Sequence, residues 1–182
     1  MRPEDLLTPT PSGVCCQTGG FHIDPTRPVD KAVITHGHSD HARPGHGAVL
    51  ATEETLDLMR LRYGENFAGS TQVARPGETL TLGGAKVTFH PAGHVLGSAQ
   101  IAVECEGLKI VASGDYKDAP DPTCAPFELV PCDVFITEAT LDCRCSATAM
   151  RPVKSPSSCT PSRCFPSALI WSAPIRSARR SA

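Results

Sequence analysis

The stretch Ala32-Val33-Ile34-Thr35-His36-Gly37-His38-Ser39-Asp40-His41 decides how the rest of the chain is read. Four residues of apolar or β-branched character lead into three imidazoles and a carboxylate within six positions. The first part reads as a short buried strand. In extended geometry His36 and His38 point the same way, and the turn after them can bring in Asp40 and His41. Histidine with carboxylate is a borderline-to-hard ligand set that suits zinc, and also manganese or iron. Four ligands so close together suit two metals better than one. The histidines are not spread evenly: His36, His38, His41 and His46 crowd here, and His90 and His94 lie near a second glycine-rich loop.

Two further stretches supply what the first lacks. His94 lies in Gly93-His94-Val95-Leu96-Gly97-Ser98, and Asp115 lies in Ser113-Gly114-Asp115-Tyr116, directly after an apolar run. A carboxylate at that strand end can bridge two metals and hold them roughly 3.5–4 Å apart. Either residue alone would read as an ordinary loop residue. Together with the first stretch they read as ligands. His90, His46 and His22 are weaker candidates, and a structural role is expected for His90. Lys117 is a lysine in water with a phosphate contact as its other reading.

At 182 residues the length fits one domain with a real core. Met1-Arg2-Pro3-Glu4-Asp5 leads into no long apolar run, so neither a signal peptide nor a membrane span is expected. A cytoplasmic bacterial-type enzyme is the default. The nine cysteines show no repeated spacing and are read as free thiols. The net charge of −2 hides a split: residues 1–140 carry 10 basic and 18 acidic residues, and residues 141–182 carry seven basic and one acidic. The acidic body has no basic footprint of the kind that marks a nucleic-acid-binding domain.

The pattern along the chain predicts an extended, turn-rich entry over 8–13 and strands over 21–24, 29–35 and 48–51. A helix comes next, capped by Thr52 and ended by Gly64, with Leu56, Met59 and Leu61 on its apolar side. Beyond it lie a hairpin of 79–82 and 85–90 about Gly83-Gly84, strands over 99–104 and 109–112, and a buried strand over 133–137. Many strands and few helices point to an α/β sandwich of mixed sheets.

The order HGHSDH, GHVLGS, SGDY resembles the metallo-β-lactamase fold. That resemblance implies an αββα sandwich with a dinuclear site at one edge. It implies His36, His38 and His94 on one metal, Asp40 and His41 on the other, and Asp115 between them. RPVDKAVITHGHSDHARPGHG, HPAGHVLGSAQI and SGDYKDAPDPTCAPFE are similar to bacterial DNA-ligase-associated exonucleases, in the branch with an inserted second lobe that includes mRNA 3′-end processing factors. Ile136-Thr137-Glu138-Ala139-Thr140 resembles the acidic motif that opens that lobe. The activity implied by this likeness is that of a metal-dependent phosphodiester hydrolase, with DNA as substrate and a DNA ligase as partner. It would use two divalent ions, zinc or else manganese, with Asp40 acting on the attacking water and Glu138 supporting the site. An RNA-processing nuclease and a thioesterase resembling glyoxalase II are the alternatives.

The resemblance covers residues 6–140. After Thr140 cysteine and proline rise, acidic residues nearly vanish and periodicity stops. A shifted reading frame accounts for this: reading the third base of each codon with the first two of the next permits LPVFRHGDAAGEI from Asp142 and ALFPERAHLVGAYSLGKAQR from Ser162. Residues 1–140 are then a partial domain, incomplete at its C-terminal side. Residues 141–182 are a non-native basic tail rich in Cys, Pro and Ser, and the chain is expected to be inactive through truncation.

Overall fold

A computed structural model describes residues 1–137. The elements are α1 (Pro3–Leu6), β1 (Thr8–Thr10), β2 (Gly13–Cys16), β3 (Phe21–Ile23), β4 (Lys31–Val33), β5 (His46–Ala51), α2 (Glu53–Tyr63), β6 (Ala68–Val73), β7 (Thr79–Leu82), β8 (Ala85–Pro91), β9 (Ala99–Cys105), β10 (Leu108–Ala112) and β11 (Val134–Ile136). They form a six-stranded sheet in the order β1-β2-β3-β4-β5-β6 and a five-stranded sheet in the order β11-β10-β9-β8-β7. The first sheet is antiparallel over β1–β3 and parallel over β3–β6. The second is antiparallel except for the parallel β10–β11 pair.

Strand alternation sets the core. Phe21, Ile23, Val33 and Leu50 of the first sheet face Val87, Phe89, Ile101, Val103, Ile110 and Ala112 of the second, all nearly inaccessible to water. The intervening residues Ala32 and Val49 point the other way, with Ile34 and Ala51, and meet Leu56 and Met59 of α2. Helix α2 therefore covers the outer face of the first sheet. The irregular segment after β10 meets the outer face of the second sheet at the start of β9: Gln100 donates to the carbonyls of Pro91 (3.0 Å) and Glu128 (2.7 Å). So among the described residues one long helix layer is present, where the αββα pattern has two.

The helix differs from its predicted apolar side. Thr52 caps it, accepting from Thr55 N at 3.4 Å, and Gly64 ends it with φ 84°. Thr55, Leu56 and Met59 are buried, but Leu61 is 85% exposed. At 3.6 residues per turn, position 61 falls on the side opposite position 59. The predicted strand over 29–35 is regular only over Lys31–Val33, because its last residues bend into the ligand loop. The turn-rich entry contains the hairpin β1–β2, and β6 is a strand that the sequence pattern does not predict. Its sequence, Ala-Gly-Ser-Thr-Gln-Val, is almost wholly exposed, so it has no alternation to read. The predicted strand over 133–137 spans Val134–Ile136 and is half-buried rather than buried. The five described cysteines, Cys15, Cys16, Cys105, Cys124 and Cys132, are free thiols. No helix among the described residues is long and apolar enough to cross a membrane.

Candidate metal centre

The ligand loops sit where strands end. The His36 loop leaves the C-terminal end of β4, the His94 loop joins β8 to β9, and Asp115 comes just after β10. A backbone bond from Ala99 N to Thr35 O (2.8 Å) ties the two sheets together at this edge.

Small residues make the close approach possible. Gly114 has φ 54°, and a Cβ there would lie 2.6 Å from Thr35 Oγ1, so only glycine lets Asp115 sit beside His36. A Cβ on Gly37 would lie 2.7 Å from Leu58 Cδ1 of α2, and Arg62 of the same helix donates to Gly37 O at 2.7 Å. Thr52 Oγ1 and Thr55 Oγ1 both donate to Gly97 O, at 2.7 and 3.2 Å. Ser98 Oγ accepts from His94 N and Val95 N, both at 3.1 Å. The start of α2 thus holds the His94 loop while its later turns hold the His36 loop.

The six predicted residues come together. His36 Nε2 is 3.0 Å from His38 Nδ1, and His94 Nε2 is 3.3 Å from the same atom. Asp115 Oδ2 lies 3.8 Å from His36 Nε2 and 3.5 Å from His94 Nε2. These four residues offer ligand atoms that all lie within 4.8 Å of one another and could hold a metal ion. The other oxygen of the same carboxylate, Asp115 Oδ1, is 3.9 Å from His41 Nε2, which is 3.8 Å from Asp40 Oδ2. Glu138 lies outside the described residues.

These spacings fit a cation. Four ligands about 2.0–2.1 Å from a tetrahedral zinc are about 3.3 Å from each other. Ring nitrogens presenting lone pairs to one another at 3.0–3.3 Å repel unless a cation or proton lies between them. The hydrogen bonds behind the rings supply the right tautomers. Thr35 Oγ1 donates to Asp24 Oδ2 (2.6 Å), so it can only accept from His36 Nδ1–H (3.0 Å), which puts the ring's lone pair on Nε2. Asp24 Oδ2 also accepts from His41 Nδ1–H (2.9 Å), which puts the lone pair of that ring on its Nε2. Asp24 Oδ1 accepts from Thr35 N at 2.8 Å.

Asp24 and Thr35 are the residues that sequence reasoning misses. In the sequence Asp24 is the end of a strand closed by Pro25. Its role comes from the parallel β3–β4 register, His22 to Ala32 and Ile23 to Val33, which sets Asp24 beside the end of β4. The available signal is a carboxylate at the end of a strand that neighbours the ligand strand. Of the weaker histidines, His90 pairs with Glu128 (3.0 Å) on the outer face, and His46 is buried and accepts from Val29 N (3.3 Å). Lys117 pairs with Asp121 at 3.0 Å.

Burial keeps the key imidazole neutral. His36 is wholly inaccessible, and its pKa falls to about 4, chiefly through burial and then through His41. His94 and His46 are pushed down by burial as well. The unfolded chain takes up these protons near pH 6.5 and the folded chain does not. Metal-free protein should therefore lose stability as pH falls from about 6.5 to about 4, with roughly 3 kcal/mol from His36 alone once both states are below their pKa. Urea midpoints at pH 7.5, 5.5 and 4 check this, and His36→Gln should flatten the fall. A midpoint independent of pH in the unsubstituted chain would contradict it.

If Asp115 is a ligand, Asp115→Ala should lower metal affinity at least about a hundredfold. Metal content after equilibrium dialysis measures this. Unchanged metal content in the variant would remove Asp115 from the site.

Two sheets packed face to face, with histidines and carboxylates gathered from strand ends at one edge, are the arrangement of the metallo-β-lactamase fold. Its sequence relatives include proteins named as ribonucleases. One is Ribonuclease TTHA0252 of Thermus thermophilus, 35% identical over 149 residues that cover 66% of this chain and 33% of that protein. Another, from Opitutus terrae, bears the name "Probable DNA ligase" and is 31% identical over 122 residues, 66% of this chain and 12% of its own length. Among solved structures, CmlA beta-hydroxylase superposes with a TM-score of 0.50 at 18% identity, covering 76% of this chain and 36% of its own. No family model matches the chain. The chain spans a third or less of the length of these two sequence relatives.

Proposed function

We propose that this chain carries the catalytic centre of a metal-dependent phosphodiester hydrolase acting on nucleic acid. The more specific reading is a DNA exonuclease that works in repair with a DNA ligase, in the bacterial cytoplasm. The observation that carries the core reading is Asp115, whose two oxygens face two different ligand sets: His36 and His94 on one side, His41 with Asp40 beyond it on the other. A carboxylate so placed would be able to serve both ligand sets. The assignment is His36, His38 and His94 to one ion, Asp40 and His41 to the second, and Asp115 to both.

Two divalent ions bound there, zinc or manganese, would lower the pKa of a shared water and offset charge on the scissile phosphate. The chain's own groups do the rest. Asp40 is 71% exposed at the side chain, so its carboxylate can reach the water and take its proton. His36 and His41 are buried and held from behind by Thr35 and Asp24, so they stay in place while charge moves. Glu138, two positions after Ile136 in the chain and outside the described residues, is the residue we assign to support the site.

The ligase-named relative supports the DNA reading. The ribonuclease from Thermus supports RNA as the second reading. We further take residues 1–140 as a partial domain and residues 141–182 as the product of a shifted frame. The test is one assay with three substrates, on frame-restored protein with added zinc or manganese: labelled single strands of DNA and of RNA, and a glutathione thioester. Mononucleotides released from DNA are expected. Cleavage of RNA alone would select the second reading, and turnover of the thioester alone would sink both.

A further inference from the structure

A nucleic-acid strand is a polyanion, yet residues 1–140 carry 10 basic against 18 acidic residues. Half of those cations are already committed. Arg2 pairs with Glu4 and Asp5, Arg60 with Asp57, Lys109 with Glu104 and Lys117 with Asp121. Arg62 donates to Gly37 O from the helix side and lies over the Tyr63 ring.

Arg43 differs: of the remaining cations it lies nearest the ligand hexapeptide in the chain, two positions after His41. It is exposed, and its Nε donates to the carbonyl of Asp40 at 3.3 Å. Neither terminal nitrogen has a hydrogen-bond or ion-pair partner among the described residues. Its backbone is fixed by a tight turn: Ala42 N and His41 N both donate to His38 O, at 2.7 and 3.2 Å, and Arg43 N donates to His41 O at 3.2 Å. Ala42 is fully buried and anchors that turn. The guanidinium is therefore pinned through one nitrogen to the backbone of the Asp40–His41 ligand pair. Its two-pronged end, the geometry that grips phosphate oxygens, is left open.

We infer that Arg43 grips a backbone phosphate of the bound strand, next to the phosphate presented to the metal centre. The inference rests on the nucleic-acid reading of the site and adds to it a residue that sets strand affinity and register. Such a contact is sequence-blind, because phosphate carries no base information.

The probe is a short, cleavage-resistant phosphorothioate single strand, in deoxy and ribo forms, titrated against the full zinc-loaded chain at several salt concentrations. Each phosphate contact contributes about 0.7 to the slope of log affinity against log salt on a single strand. Arg43→Gln should reduce the slope by about that amount and weaken binding about tenfold at low salt. Arg43→Lys should keep the slope and lose part of the affinity. Zinc content should stay unchanged in both. Lys86→Gln is the control: Lys86 is exposed at the far end of β8, opposite Glu104, and its loss should leave the slope as it was. An unchanged slope in Arg43→Gln, or an equal drop in Lys86→Gln, would overturn the inference while leaving the nucleic-acid reading in place. A chain that binds neither strand would overturn both.

Discussion

In frame-restored protein, Asp40→Asn is expected to lower turnover by about 10²- to 10⁴-fold while KM stays within a few-fold. The contrast between Asp40 and its neighbours motivates this. His41 is buried and tied to Asp24, and Asp115 is about three-quarters covered; each is placed to hold something still. Asp40 lies open to solvent on the same loop as His41, where the water and phosphate of the proposed reaction would arrive. Asparagine keeps an oxygen in the same position but cannot accept a proton. The loss should therefore fall on the chemical step. Steady-state kinetics on a labelled strand, with metal content measured alongside, provide the check. Near-normal turnover would remove Asp40 from the chemistry, and a loss tracking metal content would make it a ligand only.

Restoring the reading frame near the codon for Asp142 is expected to convert a chain with little or no nuclease activity into an active one. The change at Leu141 motivates this: five prolines (152, 156, 161, 166, 174) and four cysteines (143, 145, 159, 164) fall in a stretch with one acidic residue. Residues 141–182 lie outside the described residues, and the frameshift reading rests on their sequence. Resequencing the gene and assaying both versions decides the matter. Full activity in the chain as written would overturn the frameshift reading.

Much of the centre is legible in the sequence because its ligands are local. Three histidines and a carboxylate fall in one hexapeptide, and glycines mark the loops that bring in His94 and Asp115. Asp24 is not legible, because its value lies in pairing: only the β3–β4 register puts it behind His41. The strands with clean alternation, 85–90 and 99–104, have nearly the ends that the pattern gives them. Strand β6 is invisible because an exposed edge has no buried face to impose a period. Leu61 is misassigned when apolar residues are counted without projecting them on the helix.

Helix α2 grips both ligand loops, one through the carbonyl of Gly97 and the other through Gly37. The two loops come from different sheets and lie more than fifty positions apart in the chain. The helix is therefore the keystone of the centre, although it donates no ligand to it. Neutral drift on its inner side, at Thr52, Thr55, Leu58 or Arg62, would be felt as a change in metal affinity before it was felt as a change in fold. A search for variants that tune this centre can begin with residues that never touch the ion.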